Sequence, residues 1–477
     1  MRPSRLTPLI VASALLMENI DGTVISTSLP AIAADIHQNP LALKLALTSY
    51  LLALAIFIPM SGWVADRFGA RRIFRGAIVV FTLGSVLSGA SHSLTGFVLA
   101  RFLQGFGGSM MSPVGRLVVL RSAPRTEIVQ AFAWLTVPAM IGPMIGPPLG
   151  GFLTTYASWR WIFWINVPIG IVGVILATLF VSELRDEVKR PLDIVGFLLS
   201  AFGLSGVVFG ATVAGLGFFS TQATAAMIIG GLISLALYVR HARRTPHPLL
   251  DLSLLDIPTF RASVTGGTLF RISAGAVPFV LPLMLQLGFG MNPFESGLLT
   301  LANAAGSLIM KFTATKVLRL FGFRSVLLWN GLICVLFFAV NGYFWLGMPL
   351  ELIFGALLIS GFFRSLQFTG LNALGYCDIE TGAMSRATSF SATAQQVAQA
   401  LGVAVAGAAI EFSRALRGAS AIGLPDFRMA FLTLTAISAV SLISYYKLPH
   451  NAGALVAGHR QPPERPVETS PASSAAE

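Results

Sequence analysis

The chain has 477 residues, of which 55% are hydrophobic and only 11% are charged, whereas soluble domains carry roughly 25% charged residues. The apolar residues run along nearly the whole chain, and the mean hydropathy is +0.77, which excludes a soluble enzyme held by one anchor. A net charge of +12 would indicate nucleic-acid binding in a soluble protein. Here the basic residues form short clusters between apolar runs, as the positive-inside rule predicts for membrane proteins.

The apolar runs predict an all-α membrane protein with fourteen spans, because a membrane-spanning helix needs about 20 residues. The first run follows Arg2 and Arg5 and continues past Glu18 and Asp21 without a signal-peptide cleavage site, so it is interpreted as a span. The predicted spans cover residues 8–30, 45–65, 74–92, 95–118, 129–153, 162–181, 192–212, 223–240, 259–286, 295–316, 324–345, 349–373, 386–411 and 428–447.

The distribution of lysine and arginine between the connections predicts the orientation. One side holds Arg2, Arg5, Arg67, Arg71, Arg72, Arg75, Arg121, Arg125, Arg185, Lys189, Arg190, Arg240, Arg243, Arg244, Arg261, Lys316, Arg319, Arg324, Arg386 and Lys447. The other side holds Lys44, Arg160, Arg414, Arg417 and Arg428. This bias predicts that both termini are cytoplasmic, although the cluster of three arginines outside is an exception.

A short repeat predicts the domain organisation. Phe68-Gly69-Ala70-Arg71 follows the second span, and Phe321-Gly322-Phe323-Arg324 follows the tenth. Many secondary transporters consist of repeated halves around a midplane site. The expected units are a first six-helix half (1–185), an inserted helix pair (186–245), a second six-helix half (246–449) and a disordered cytoplasmic tail (450–477).

Charged residues within spans are the first candidates for function, since each costs about 2.5 to 3.5 kcal/mol on insertion scales. Glu18 and Asp21 share one face of the first span, and Arg101 and Gln104 share one face of the fourth. At 1.5 Å per residue, Asp21 and Arg101 lie about 13 and 9 Å from the outer surface, so they can meet. The pair is either a static link between helices or a carboxylate that exchanges protons beside an arginine; Asp21 is the preferred carrier and Glu18 the alternative.

The segment Gly62-Trp63-Val64-Ala65-Asp66-Arg67-Phe68-Gly69-Ala70-Arg71-Arg72 combines glycines, which allow a tight turn, with a cluster of charges. It resembles the loop signature of the major facilitator superfamily, which joins the second and third helices and acts as a conformational latch. The resemblance assigns the latch to Gly62, Asp66, Arg67, Gly69, Arg71 and Arg72. In the corresponding loop of the second half Arg319 occupies the place of Asp66, so the same gating role is not assigned there.

Three further stretches resemble the fourteen-helix drug:proton antiporter branch (EmrB/QacA-type) of that superfamily. They are the first-helix motif, Asp21-Gly22-Thr23-Val24 through Leu29-Pro30, the fourth-helix motif, Arg101-Phe102-Leu103-Gln104-Gly105-Phe106-Gly107-Gly108, and a glycine-proline stretch in the fifth helix. In that branch the fourth-helix arginine is associated with proton coupling, and the fifth-helix stretch is the antiporter motif, here Gly142, Gly146, Pro147, Gly150 and Gly151. The run from Gly107 to Arg116 looks closest to the MdtD-type multidrug exporters.

Polar residues in otherwise apolar spans are candidates for a substrate cavity. The set is Gln104, Arg271, Arg364, Gln395 and Gln399. Hydrogen bonds between helices explain most residues of this kind, so each of them has a structural alternative.

The expected function is proton-coupled export of small, lipophilic, drug-like compounds by alternating access in the bacterial inner membrane. The proton gradient would supply the energy, and no cofactor, metal or nucleic-acid partner is expected. An importer or facilitator of a small metabolite on the same fold is the alternative. The chain lacks the G-x-x-x-x-G-K-[ST] pattern of nucleotide-driven pumps and any catalytic cluster, so an enzyme is not expected. Basic residues outnumber acidic ones within the spans, so the sequence does not determine the charge of the substrate.

Overall fold

The computed structural model describes residues 3–122, 128–181, 183, 191–380, 383–449 and 452–453. The expected tail at 450–477 lies outside the described residues except for 452–453, and so does the boundary expected at residues 185 and 186. Within the described part the chain forms helices joined by short connections, with no strand.

Each predicted span coincides with one long helix. The helices are α1 (Pro3–Val24), α2 (Pro40–Phe68), α3 (Ala70–Gly89), α4 (Leu94–Ser122), α5 (Ile128–Tyr156), α6 (Trp161–Phe180), α7 (Ile194–Val213), α8 (Thr221–Ala242), α9 (Pro258–Gly288), α10 (Pro293–Phe321), α11 (Phe323–Gly342), α12 (Leu350–Tyr376), α13 (Met384–Leu416) and α14 (Leu424–Tyr446). Eleven helices of the described part are long and apolar enough to cross a membrane. The other three, α4, α5 and α10, have 29 residues each, and at 1.5 Å per residue that length also crosses a bilayer.

The repeated tetrapeptide forms the same turn in both halves. Gly69 joins α2 to α3 with φ 98°, and Gly322 joins α10 to α11 with φ 73°. A side chain is disfavoured at these angles, and glycine therefore allows one residue to connect two helices. Two residues after each glycine an arginine donates to the carboxyl end of the last helix of its half: Arg71 to the Val181 carbonyl at 3.2 Å, and Arg324 to the Tyr446 carbonyl at 3.0 Å.

The helix contacts follow the same repeat. In the first half α1 packs on α5 and α2 on α4, and in the second half α9 packs on α13 and α10 on α12. The two halves meet where α5 packs on α10 and where α2 packs on α13. The buried apolar core lies mainly inside each half, since one cluster consists of buried residues of the first half and the other mostly of residues of α9–α14. A cavity lies between the halves.

The inserted pair, α7 and α8, packs beside one of the seams. Val208 of α7 is buried against Leu52 and Ile56 of α2 and Ala400 of α13. Asp193 accepts a hydrogen bond of 2.8 Å from the Gly196 amide at the start of α7, and its carboxylate also contacts His241 at the end of α8. The pair is thus attached to both halves at the α2–α13 seam.

Lys44 lies at the end of the bundle opposite Gly69, and we call this end the Lys44 end. Its side chain is fully buried against Gly407 of α13 and lies 3.5 Å from the carbonyl oxygen of Ala214. On the other seam, the Phe294 amide donates to the Thr155 hydroxyl at 3.2 Å. Both seams are therefore in contact across the halves at the Lys44 end.

The arginines at the Lys44 end have local partners, which accounts for the exception to the charge bias. Their acidic and aromatic partners are Glu411 for Arg414 at 2.6 Å, Asp426 for Arg417, the Tyr343 ring for Arg428 at 4.9 Å, and Asp35 for Arg160 at 2.9 Å. The hydrogen bond from Arg160 holds the pKa of Asp35 below its ordinary value. Three of these four arginines are thus neutralised by carboxylates, and the fourth lies over an aromatic ring, so the arginines add little net positive charge at this end.

Candidate transport site

Asp21 lies in the middle of a buried hydrogen-bond network inside the first half. Arg101 of α4 donates to its Oδ2 at 2.7 Å, and Gln104 and Asn166 donate to its Oδ1 at 2.8 and 2.9 Å. Asp21 has an exposed fraction of 0% and Arg101 of 1%. The meeting of these two charges, expected from their depth in the spans, is present in the structure.

Arg101 is held by more than its carboxylate partner. Its guanidinium donates to the Gln104 Oε1 at 2.7 Å and lies 4.4 Å from the centre of the Tyr50 ring. A buried ion pair is expensive to desolvate and is favourable only when the remaining polar atoms are satisfied. This network satisfies both carboxylate oxygens of Asp21, whereas the Arg101 Nε and the Asn166 Oδ1 are buried without a hydrogen-bond partner. The pair is therefore stabilised mainly through the Asp21 carboxylate.

Glu18, one turn before Asp21, has a different environment. It is partly exposed and forms no ion pair with any described residue, and its Oε2 is buried without a hydrogen-bond partner. An unpaired carboxylate oxygen in a membrane-embedded site is costly. Glu18 is thus the acidic group of α1 that can take up a partner without breaking the contact between Asp21 and Arg101.

A cavity with two lobes lies between the halves. The Glu18 lobe, of about 340 Å³, is lined by residues that include Glu18, Tyr50, Arg101, Gln396 and Gln399. The Arg364 lobe, of about 290 Å³, is lined by residues that include Asn303, Ser307, Lys311 and Arg364. The two lobes share the walls Thr23, Ser26, Pro143 and Pro278. Apolar side chains cover most of both surfaces, as in other small-molecule sites.

The residues predicted for the substrate cavity have different positions. Arg364 and Gln399 line the two lobes. Gln104 belongs to the Asp21 network instead, and Arg271 is buried and donates to Asn372 at 2.8 Å. Gln395 lines neither of these lobes, whereas its neighbour Gln396 does.

The glycines of the fifth-helix motif allow α5 to approach two helices. A Cβ on Gly142 would lie 2.8 Å from the Asn19 Cβ of α1, and Cβ atoms on Gly146 and Gly150 would overlap Thr23 and the Val24 carbonyl. Gly151 instead faces α10, where a Cβ would lie 2.8 Å from the Phe294 Cα. Small residues at four-residue spacing permit this close contact, so the motif joins the cavity helix α1 to the α5–α10 seam.

The charged segment after α2 contacts the end of α6. Arg71 and Arg72 approach the Glu183 carboxylate at 3.7 and 3.5 Å, and Gly69 makes the turn between α2 and α3. Gly62 and Arg67 are exposed and Asp66 is partly exposed at this end of the bundle. Sequence reasoning centred the cluster on Asp66, and the structure adds Glu183 as the acid opposite the two arginines.

Sequence reasoning missed several residues of the site. Asn166 links Asp21 to the Ser85 hydroxyl, which it contacts at 2.9 Å, and Asn303 accepts a hydrogen bond of 2.8 Å from Arg364. Asn166 and Asn303 are amides in apolar spans, so the criterion that selected Gln104 would have found both. Nothing in the sequence places the Tyr50 ring under Arg101.

Comparison with known proteins agrees with this fold. The family model described as Major Facilitator Superfamily matches residues 11–238. The chain is 38% identical over 405 residues to MdtD of Serratia proteamaculans, covering 83% of each chain. It is 36% identical over 457 residues to MdtD of Salmonella dublin, covering 93% of this chain and 94% of that one. Both relatives carry a name that assigns them to multidrug resistance.

Solved transporter structures share the fold at low identity. A D-xylose-proton symporter superposes with a TM-score of 0.66 at 15% identity, covering 94% of this chain and 98% of that chain. The POT family transporter PepTSo gives a TM-score of 0.66 at 15% identity, covering 95% of this chain and 98% of that chain. Since the MdtD proteins match most of the chain above 30% identity, this chain belongs to the major facilitator superfamily of secondary transporters and, within it, to the MdtD-type proteins.

Proposed function

We propose that the protein is a proton-coupled exporter of small lipophilic compounds that works by alternating access. The observation that carries the proposal is the buried Asp21–Arg101 pair beside a cavity that both halves line. A carboxylate whose burial and arginine contact change with conformation can link proton binding to a change of state. The names of the MdtD relatives support drug-like compounds as substrates.

We further propose that residues 1–185 and 246–449 move as two halves, with 186–245 as an inserted pair. The contacts across both seams at the Lys44 end would then separate when the cavity opens there. The charge bias supports a bacterial inner-membrane orientation with both termini cytoplasmic. A cysteine introduced beside Arg121 should react with membrane-permeant but not with impermeant maleimide in whole cells. Labelling by the impermeant reagent would show that the orientation is the opposite of the proposed one.

In this proposal protons enter from the Lys44 end and reach the acids of α1. Asp21 is the coupling carboxylate, because its protonation would release Arg101 from its partner. Glu18 lies on the cavity wall with an unpaired oxygen, which supports it as the alternative carrier or as the first group to receive the proton.

The test is transport by the purified full-length protein in proteoliposomes loaded with a fluorescent lipophilic dye. An imposed pH gradient should drive the dye against its concentration gradient, and an uncoupler should abolish that movement. Dye movement that is independent of the pH gradient and only follows the dye gradient would favour the facilitator alternative. Gradient-driven movement of dye in the same direction as the proton would favour an importer.

A further inference from the structure

The two lobes of the cavity carry unpaired ionisable groups of opposite kind, an acid in one and bases in the other. In the Glu18 lobe, Glu18 forms no ion pair with a described residue, whereas Arg101 is already paired with Asp21. In the Arg364 lobe, Arg364 and the exposed Lys311 form no ion pair with any described residue, and no described lining residue is acidic. The cavity therefore has an unpaired carboxyl group at one end and unpaired basic groups at the other.

Arg364 is oriented but not satisfied by its surroundings. Its Nη2 donates to the Asn303 Oδ1 at 2.8 Å, while its Nη1 is buried without a hydrogen-bond partner. Gly361 of α12 lies directly against the Asn303 backbone carbonyl, so α10 and α12 are in close contact at this point. A guanidinium with donors left over is suited to a carboxylate, which it can bind through two parallel hydrogen bonds.

Glu18 offers the complementary partner. Its charged neighbours are Asp21, one turn further along α1, and Arg116 of α4, and it forms no ion pair with Arg116. A substrate ammonium or other organic cation in this lobe would meet the unpaired Oε2. Such a cation would also compete with a proton for the same carboxylate, which is the relation that antiport requires.

We propose that the substrates are amphipathic zwitterions, with a cationic group bound in the Glu18 lobe and a carboxylate bound by Arg364. The inference rests on the proposed transport function and names its substrate class. Both lobes have Thr23, Ser26, Pro143 and Pro278 in their lining, so they lie side by side, and the proposal places one molecule across both. An apolar body between the two charges fits the apolar lining of the cavity.

Three dyes with one tricyclic skeleton test this assignment. Rhodamine B is a zwitterion, its ethyl ester keeps the cation but lacks the carboxylate, and fluorescein has the carboxylate but lacks the cation. Binding to the purified full-length protein is measured by fluorescence polarisation without any gradient. Rhodamine B should bind about tenfold or more tighter than either of the other dyes, the effect of one charge-assisted hydrogen-bonded contact.

Binding of the same dyes to variants tests which lobe binds the carboxylate of the dye and which binds its cationic group. Arg364→Gln should remove the advantage of rhodamine B over its ester, whereas Arg364→Lys should keep part of it. Glu18→Gln should remove the advantage over fluorescein and leave the comparison with the ester unchanged. Lys316→Gln, which removes an exposed cation of α10 outside the lobe, should bind all three dyes as the wild type does. Ratios between dyes on one variant are compared, so a partly inactive preparation does not change the result.

Equal affinity of the wild type for the three dyes, or binding of none of them, would overturn the substrate assignment without any variant. An Arg364→Gln protein that keeps the full preference over the ester would overturn the role of Arg364. The transport proposal can fail separately, because a protein that shows these binding ratios but does not move dye under a pH gradient would be a zwitterion-binding protein without proton coupling.

Discussion

Replacement of Asp21 by asparagine tests the coupling proposal most directly. The amide keeps the volume of the side chain but cannot exchange a proton. In the wild type Asp21 accepts hydrogen bonds from Arg101, Gln104 and Asn166. In Asp21→Asn the amide oxygen can still accept two of these three hydrogen bonds. The amide nitrogen is a donor, so it cannot accept the third.

The cost to stability follows from the burial of the pair. Removal of one partner of a buried ion pair costs about 3–5 kcal/mol, because the remaining charge is left uncompensated. Arg101 keeps the Gln104 Oε1 and the Tyr50 ring, so we expect the lower end of that range. The variant should therefore insert and fold with a lowered Tm, and the double variant Asp21→Asn/Arg101→Gln should recover part of the loss.

The expected loss of coupling is also quantitative. One proton that moves down a gradient of one pH unit supplies about 1.4 kcal/mol, which corresponds to a tenfold accumulation of substrate. Proteoliposomes with Asp21→Asn should show no accumulation against a concentration gradient, while they still exchange labelled for unlabelled substrate at equilibrium. Asp193→Asn is the matched control, since it neutralises another buried carboxylate and asparagine can still cap α7.

Accumulation by Asp21→Asn at the wild-type ratio would refute the assignment of the proton to Asp21. If Glu18→Gln then lost accumulation while Asp21→Asn kept it, the coupling group would be Glu18. If neither variant lost accumulation, the Asp21–Arg101 pair would be a static link between helices.

Three further predictions concern the packing motif and the latch. Gly150→Ala places a Cβ against the Val24 carbonyl and 2.8 Å from the Thr27 hydroxyl, so it should destabilise the protein by about 1–3 kcal/mol in thermal unfolding. Gly76→Ala, with nothing within 4 Å, should not lower the Tm, and an equal effect of the two would contradict the close-packing explanation. Asp66→Ala should slow transport about tenfold by shifting the conformational equilibrium by about 1.4 kcal/mol, and unchanged transport rates would exclude the latch. Glu183→Gln should act similarly, because Arg71 and Arg72 lose their acid, whereas the exposed Glu351→Gln should have no effect.

The sequence by itself determined the membrane class and the span pattern of this protein. A bilayer imposes a minimum length and an apolar composition on each helix, and these constraints can be read locally along the chain. The Gly69 and Gly322 repeat could be read for a similar reason, since a one-residue turn between helices requires glycine. The depth argument for Asp21 and Arg101 succeeded because rise per residue is constant in a helix.

Only the tertiary structure decided which polar residues share a site. Gln104 and Arg364 are both polar residues in apolar spans, so the sequence does not distinguish them. In the structure Gln104 is hydrogen-bonded in the Asp21 network, whereas Arg364 has a donor without a partner beside the cavity. The rotation of each helix about its axis sets that difference, and it depends on contacts such as Gly146 against Thr23. The arginines of the Lys44 end became understandable only through Glu411 and Asp426, because ion pairing depends on distances that charge counting along a sequence does not contain.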